Sequence, residues 1–306
     1  MFHLRAATYL RAILCMILFV SISLAACGTT ASVTGNSAVL HVIAGQNFWG
    51  SIAAQLGGTH VTVTSIVNDP NADPHQYESD ATAARAFAAA KYVILNGAGY
   101  DNWGQKLLDA NPVTGRKVFT VASLLGKKEG DNPHFWYDPA AVERVANQII
   151  ADYTALDAAD AAYFTQQRTA FEAALKPYHD RLDAIKAQFA GQKVGATESI
   201  FVYLATYLGL DLISPPAFMQ AVAEGNDPPA DSVATFQQQI QKKQIRILVY
   251  NTQTITDVTD NLKQLAAQQK IPLVPISETI QPANTSFEDW QTAQLTVLES
   301  ALNAQA

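Results

Sequence analysis

The sequence is poor in cysteine, and that excludes a disulfide framework. It holds two cysteines, Cys15 and Cys27. Cys15 falls within an apolar run, "AILCMILFVSISLAA" over 12–26, preceded by Arg5 and Arg11. A basic start, a short apolar stretch and small residues at its end predict a secretory signal that is cleaved off. The run is short of the roughly 20 residues a membrane-spanning helix needs. One cysteine then remains, so the core must hold the fold unaided even in an oxidising compartment. Basic clusters are missing as well. The longest are the pairs Lys127-Lys128 and Lys242-Lys243, in a chain of net charge −7. Nucleic acid is therefore excluded as a partner, because neutralising phosphates takes clustered Lys and Arg. There is no HExxH or similar pair on one helix, which removes the commonest sequence sign of a metalloprotease.

What is present begins with residues 24–27, "LAAC", which resemble a bacterial lipobox. The resemblance implies cleavage before Cys27 and acylation of its thiol. The stretch 28–37, "GTTASVTGNS", is small and polar and reads as a flexible tether. The 306 residues, 49% of them apolar, suffice for two domains with their own cores.

Strand and helix patterns alternate from residue 38 onward. Predicted strands cover 38–45, 60–67, 91–97 and 117–123; predicted helices cover 48–58, 79–90 and 101–110. The region from Pro139 to about Ala190 differs. It has no glycine, and its segment 163–190 carries Phe164, Phe171, Leu175, Leu182, Ile185 and Phe189 at helical spacing, with Pro177 as a candidate kink. Beyond it come strands at 193–197, 245–251 and 271–277 and helices at 199–209, 231–244, 255–270 and 286–304. The expected fold class is α/β: two lobes, each a mostly parallel sheet flanked by helices, joined by a single long rigid helix. The expected division is a signal peptide with lipobox at 1–27, a tether at 28–37, an N-terminal lobe at 38–160, a linking helix at 161–190 and a C-terminal lobe at 191–306.

Two loops share a phrase, "DPHQYE" at 73–78 and "NPHFWYDP" at 132–139. Proline forces the preceding Asp73 and Asn132 into extended backbone, which sets His75 and His134 on stiff turns. In open α/β sheets ligands bind beyond the carboxyl ends of the strands. Either histidine alone reads equally well as a surface loop residue. In the second half, Glu198 and Glu278 each follow a predicted strand. Alone, each reads as a solvated carboxylate; with the histidines they form a four-residue cage across an interdomain cleft.

These motifs resemble the metal-binding lipoproteins of bacterial ABC importers for zinc and manganese, whose two lobes are joined by one long helix. The likeness rests on "NADPHQYESD" (71–80), "LNGAGYDNW" (95–103), "NPHFWYDP" (132–139), "ATESIFVYLATYLGL" (196–210) and "VPISETI" (274–280). It implies His75 and His134 as the first two ligands. The third position, His in zinc-type members and often Glu in manganese-type ones, is Glu198. The fourth, usually Asp, is Glu278. Many members carry Glu at the position of Asn251. The segment between the two His motifs, "GKKEGD" at 126–131, is short, whereas zinc importers commonly have a His-rich loop there.

The resemblance further implies a protein that is not an enzyme. It would capture one divalent ion, manganese ahead of zinc, and deliver it to an ABC permease. It would be exported as a monomer and anchored by lipid to the outer face of the cytoplasmic membrane. Imidazole suits transition ions and carboxylate oxygen suits harder ones, so the donor set admits both metals. A membrane-anchored metal-dependent hydrolase would keep one coordination position open, which four protein ligands do not. An adhesin-like lipoprotein would have no use for the paired Asx-Pro-His loops.

Overall fold

The structure is a computed structural model and describes residues 39–71 and 73–304. The expected signal peptide, Cys27 and the tether lie outside the described residues. The described residues belong to one compact unit, and among them no helix is long and apolar enough to cross a membrane.

The first lobe opens with β1 (Leu40–Gln46), whose last five residues are all buried, as expected of a strand covered on both faces. There follow α1 (Asn47–Gly57), β2 (Val61–Val67), α2 (Ala81–Ala89), β3 (Tyr92–Leu95), α3 (Asn102–Ala110), β4 (Lys117–Thr120) and α4 (Val121–Leu125). Asp80 caps α2 by accepting the amides of Thr82 and Ala83. The sheet order is β2-β1-β3-β4, every pairing parallel. The strand expected over 117–123 is split: its last residues turn into α4, which Gly126 closes in a left-handed conformation. A short apolar run does not distinguish strand from buried helix by pattern alone.

Two helices then run in succession, α5 (Pro139–Leu156) and α6 (Ala161–Phe189). The sequence reading separated only the second. Pro177 sits on an exposed position inside α6, and the 29-residue helix continues through it. Phe164, Phe171, Leu175, Tyr178, Leu182, Ile185 and Phe189 form its buried stripe.

The second lobe comprises β5 (Lys193–Ala196), α7 (Val202–Leu208), β6 (Asp211–Leu212), α8 (Pro216–Ala223), α9 (Ala230–Gln241), β7 (Leu248–Asn251), α10 (Asp257–Gln268), β8 (Leu273–Ile276) and α11 (Phe287–Asn303). Its order, β6-β5-β7-β8, repeats that of the first lobe, again all parallel. The pair β6 and α8 was not anticipated, since a two-residue strand leaves no readable period. Helix α6 packs on α1 and α5 of the first lobe and on α7 and α11 of the second. One cluster of buried side chains, Trp49, Trp136, Phe171, Leu182 and Trp290 among them, runs through both. The long helix is thus part of the core as well as the connection.

Candidate metal centre

In both sheets the order reverses beside the first strand, which opens a crevice at the carboxyl ends of the strands. The four acidic and imidazole side chains expected at the site converge there. One ligand atom each from His75, His134, Glu198 and Glu278 lies within 4.8 Å of the others.

Each residue is positioned by its own local structure. Asp73 holds extended backbone before Pro74 and accepts the amide of His75 at 2.9 Å, so the imidazole leaves a one-turn 3-10 helix in a fixed direction. His134 is farther from its strand than expected, because α4 and a loop intervene after β4. Its ring is set by Asn132 instead. Asn132 Nδ2 donates to the Ser199 carbonyl at 2.8 Å, which turns Oδ1 toward His134. That oxygen accepts the backbone N–H at 3.1 Å and the ring Nδ1–H at 2.6 Å. The proton therefore sits on Nδ1, and Nε2 presents a lone pair to the site. Glu198 precedes a 3-10 turn two residues beyond β5, and Glu278 follows β8 by two residues.

The separations suit an ion. His75 Nε2 lies 3.3 Å from Glu278 Oε2; His134 Nε2 lies 3.4 Å from Glu198 Oε1 and 3.9 Å from Glu278 Oε2. A tetrahedral ion with bonds of about 2.0–2.2 Å spaces its ligands by roughly 3.3–3.6 Å. The Nε2 atoms of both histidines and Oε1 of Glu198 are buried without a hydrogen-bond partner. Buried polar atoms are normally paired, so three unpartnered ones this close together make the cluster a candidate ligand position.

Burial dominates the electrostatics. Glu198 and Glu278 are fully inaccessible, and loss of hydration pushes both up to about 8, helped for Glu198 by the neighbouring Glu278 charge. Burial, then the nearby His75, holds the His134 imidazolium form well below its usual range. Burial and the Glu278 carboxylate raise the Tyr100 phenol well above its own. Burial thus favours the uncharged forms of both carboxyls and of the His134 ring.

Tyr100 and Asp101 are not singled out from sequence; Asn251 is, but only as a departure from the family pattern. Tyr100 donates to Glu278 Oε2 at 2.5 Å from the opposite lobe. Its loop, "NGAGY" (96–100), is clamped by Asp101, which accepts the amides of Asn96 at 2.6 Å and Gly97 at 2.8 Å. Gly97 has φ +76°, and a Cβ there would meet Thr120 Cγ2 at 2.6 Å, so glycine is required. The signal for Tyr100 was its place just past a strand, the same rule that exposed the histidines. Asn251, at the end of β7, donates through Nδ2 to Glu198 Oε2 and to Glu278 Oε1, both at 2.7 Å. The approach from outside is a cavity of about 560 Å³ between the lobes, lined by His75, Tyr100, Asn132, Ser199, Met219 and Glu224 among others.

Residues 42–301 match the family model described as ZnuA, zinc-uptake complex component A, periplasmic. Among curated proteins, the manganese-binding lipoprotein MntA of Halalkalibacterium halodurans is 25% identical over 202 residues, 63% of this chain and 66% of the relative, just under two thirds of its length. Among solved structures, a Cd-bound periplasmic metal-binding protein from Candidatus Liberibacter asiaticus superposes with a TM-score of 0.71 at 18% identity, over 86% of this chain and 99% of the other. The solute-binding protein FpvC of Pseudomonas aeruginosa in complex with Mn2+ does so with a TM-score of 0.69 at 18% identity, over 87% and 99%. At such identities these structures speak for the two-lobed fold.

Proposed function

The chain belongs to the ZnuA family of periplasmic zinc-uptake components, and on that premise we propose that it captures one divalent transition-metal ion, manganese or zinc, and hands it to an ABC permease. It is an extracytoplasmic solute-binding protein and not an enzyme. The ion is cargo, held between the lobes by His75, His134, Glu198 and Glu278. Residues 38–160 and 191–306 serve as the lobes, with 161–190 as the linking helix. The protein acts as a monomer, tethered by lipid on Cys27 at the outer face of the cytoplasmic membrane.

The observation that carries this reading is the convergence of four ligand atoms within 4.8 Å, three of them buried and unpartnered. Four protein donors close the coordination shell, as storage and transport require and hydrolysis does not. Binding stabilises the arrangement in which the lobes meet, because only there are all four donors in reach. Release then follows when the permease separates them.

Native mass spectrometry of the full-length protein in detergent, stripped and then given equimolar zinc and manganese, tests the proposal. One retained ion, lost in a His75→Ala, Glu278→Ala double variant, is the expected result. Retention of neither metal would sink it.

A further inference from the structure

We infer that Asn251 sets the metal preference, by holding both glutamates to one oxygen each and so shaping a four-coordinate site of the kind zinc prefers. The inference rests on the metal-capture reading and refines it by naming the class of ion.

The geometry is that of a clamp. Asn251 lies at the end of β7, between the two carboxylates, and is itself 2% exposed. Its Oδ1 accepts the amide of Gln253 at 2.9 Å, which fixes which way the side-chain amide faces. Nδ2 is thereby turned to the carboxylates and donates to Glu198 Oε2 and Glu278 Oε1, each at 2.7 Å. Thr254 supports it: Nδ2 lies 3.0 Å from its Oγ1, and Thr254 also hydrogen-bonds Glu198.

The consequence is a division of labour within each carboxylate. One oxygen of each is bound to the amide. The other, Oε1 of Glu198 and Oε2 of Glu278, stands 3.3–3.9 Å from the histidine nitrogens; Oε1 of Glu198 has no hydrogen-bond partner, and Oε2 of Glu278 also accepts the Tyr100 hydroxyl at 2.5 Å and offers its second lone pair. For either glutamate to chelate an ion with both oxygens, its carboxylate must turn and give up its buried 2.7 Å hydrogen bond from the Asn251 amide, which is unfavourable. Two histidines and two singly coordinating glutamates make four ligands. Zinc is content with a tetrahedron, whereas manganese favours more oxygen donors and a higher coordination number. A donor at position 251 thus argues for zinc, reversing the order of the two ions expected from the glutamates alone. A carboxylate there would repel the two glutamates instead of holding them.

Cobalt(II) reports this directly, since its visible bands are intense in a four-coordinate site and weak in five- or six-coordinate ones. The full-length protein in detergent is loaded with Co2+, and its zinc and manganese affinities are measured by chelator competition. The wild type should show the intense bands. Asn251→Ala should weaken them and lower the zinc-to-manganese affinity ratio by roughly ten- to a hundredfold, the range for residues that orient metal ligands. Thr254→Val, which keeps its shape, should move both readouts the same way by less. Weak bands in the wild type, or an Asn251→Ala protein with unchanged bands and ratio, would overturn the inference while leaving metal capture standing. If Asn251→Ala does not fold, the wild-type spectrum together with Thr254→Val decides. Uptake of none of the three ions by the wild type would remove the capture reading itself, and this inference with it.

Discussion

The side-chain oxygen of Asn132 receives both the backbone N–H and the ring N–H of His134. One residue thus fixes the direction in which the imidazole leaves the chain and the tautomer it adopts. The Asx-Pro-His phrase is in this light a device for aiming a nitrogen. In the other loop Asp73 performs the first half of the task, accepting the His75 amide and the Gln76 side chain.

Replacing Asn132 with Ala should weaken metal binding about 10- to 100-fold, the usual effect of losing a partner that orients a ligand. Its bond to the Ser199 carbonyl is lost too, so thermal stability should fall by about 1 kcal/mol. Competition titration and a melting curve separate the two effects. An affinity within twofold of wild type would show that His134 needs no such help.

Affinity should rise with pH across the neutral range. Burial keeps the Glu198–Glu278 pair protonated up to about 8, and ligands must be deprotonated to bind. An ion bound near neutral pH therefore expels protons. Calorimetry in buffers of different ionisation heat counts them, and none released would contradict the assignment of these carboxylates.

The same groups govern the stability of the metal-free protein. A carboxyl whose folded pKa is raised stabilises the fold fully below its unfolded value, 4.5 here, and loses that contribution as pH rises toward about 8. His134 acts in the opposite sense: its lowered pKa supports the fold above 6.5, and that support is lost as pH falls. With two raised carboxyls against one imidazole, the rise in Tm caused by the metal should be larger near pH 8 than near pH 6. Equal increments at both would be the contrary outcome.

In α6 the two informative positions have opposite signs. Leu175 is fully buried on the stripe that joins the lobes, so Leu175→Ala should cost about 2–5 kcal/mol. Pro177 is exposed within the helix and supplies no amide to it, so Pro177→Ala should stabilise by up to about 3 kcal/mol. Denaturant titration of both variants checks the pair. A destabilised Pro177→Ala would mean that the proline is matched to a helix shape the lobes require.

Closure on metal binding should be small. Besides Tyr100 and Glu278, the lobes are joined by Tyr137 to the Ser277 carbonyl at 2.8 Å, the Ile280 amide to Asn47 at 3.1 Å and Gln281 to the Pro70 carbonyl at 2.6 Å. These bonds sit beside the site and would break in a wide swing. Small-angle scattering of apo and loaded protein should give closely similar profiles; a large change in radius of gyration would refute the prediction.

The sequence alone determined the alternation of strand and helix, because a parallel strand buried on both faces is a short, nearly unbroken apolar run and each covering helix repeats near 3.6 residues. It also determined which residue types could meet at the site: His75, His134, Glu198 and Glu278 were legible from proline-stiffened or strand-terminal positions. Tertiary structure decided what had no local period. The two-residue β6 exists only through its pairing with β5. The carboxylate protonation follows from burial supplied by distant segments. The Tyr100–Glu278 bond spans 178 residues of chain and the Asn251 clamp joins residues 27 and 53 positions away. Such contacts arise when two sheets bring their carboxyl edges together, and no spacing along the chain encodes them.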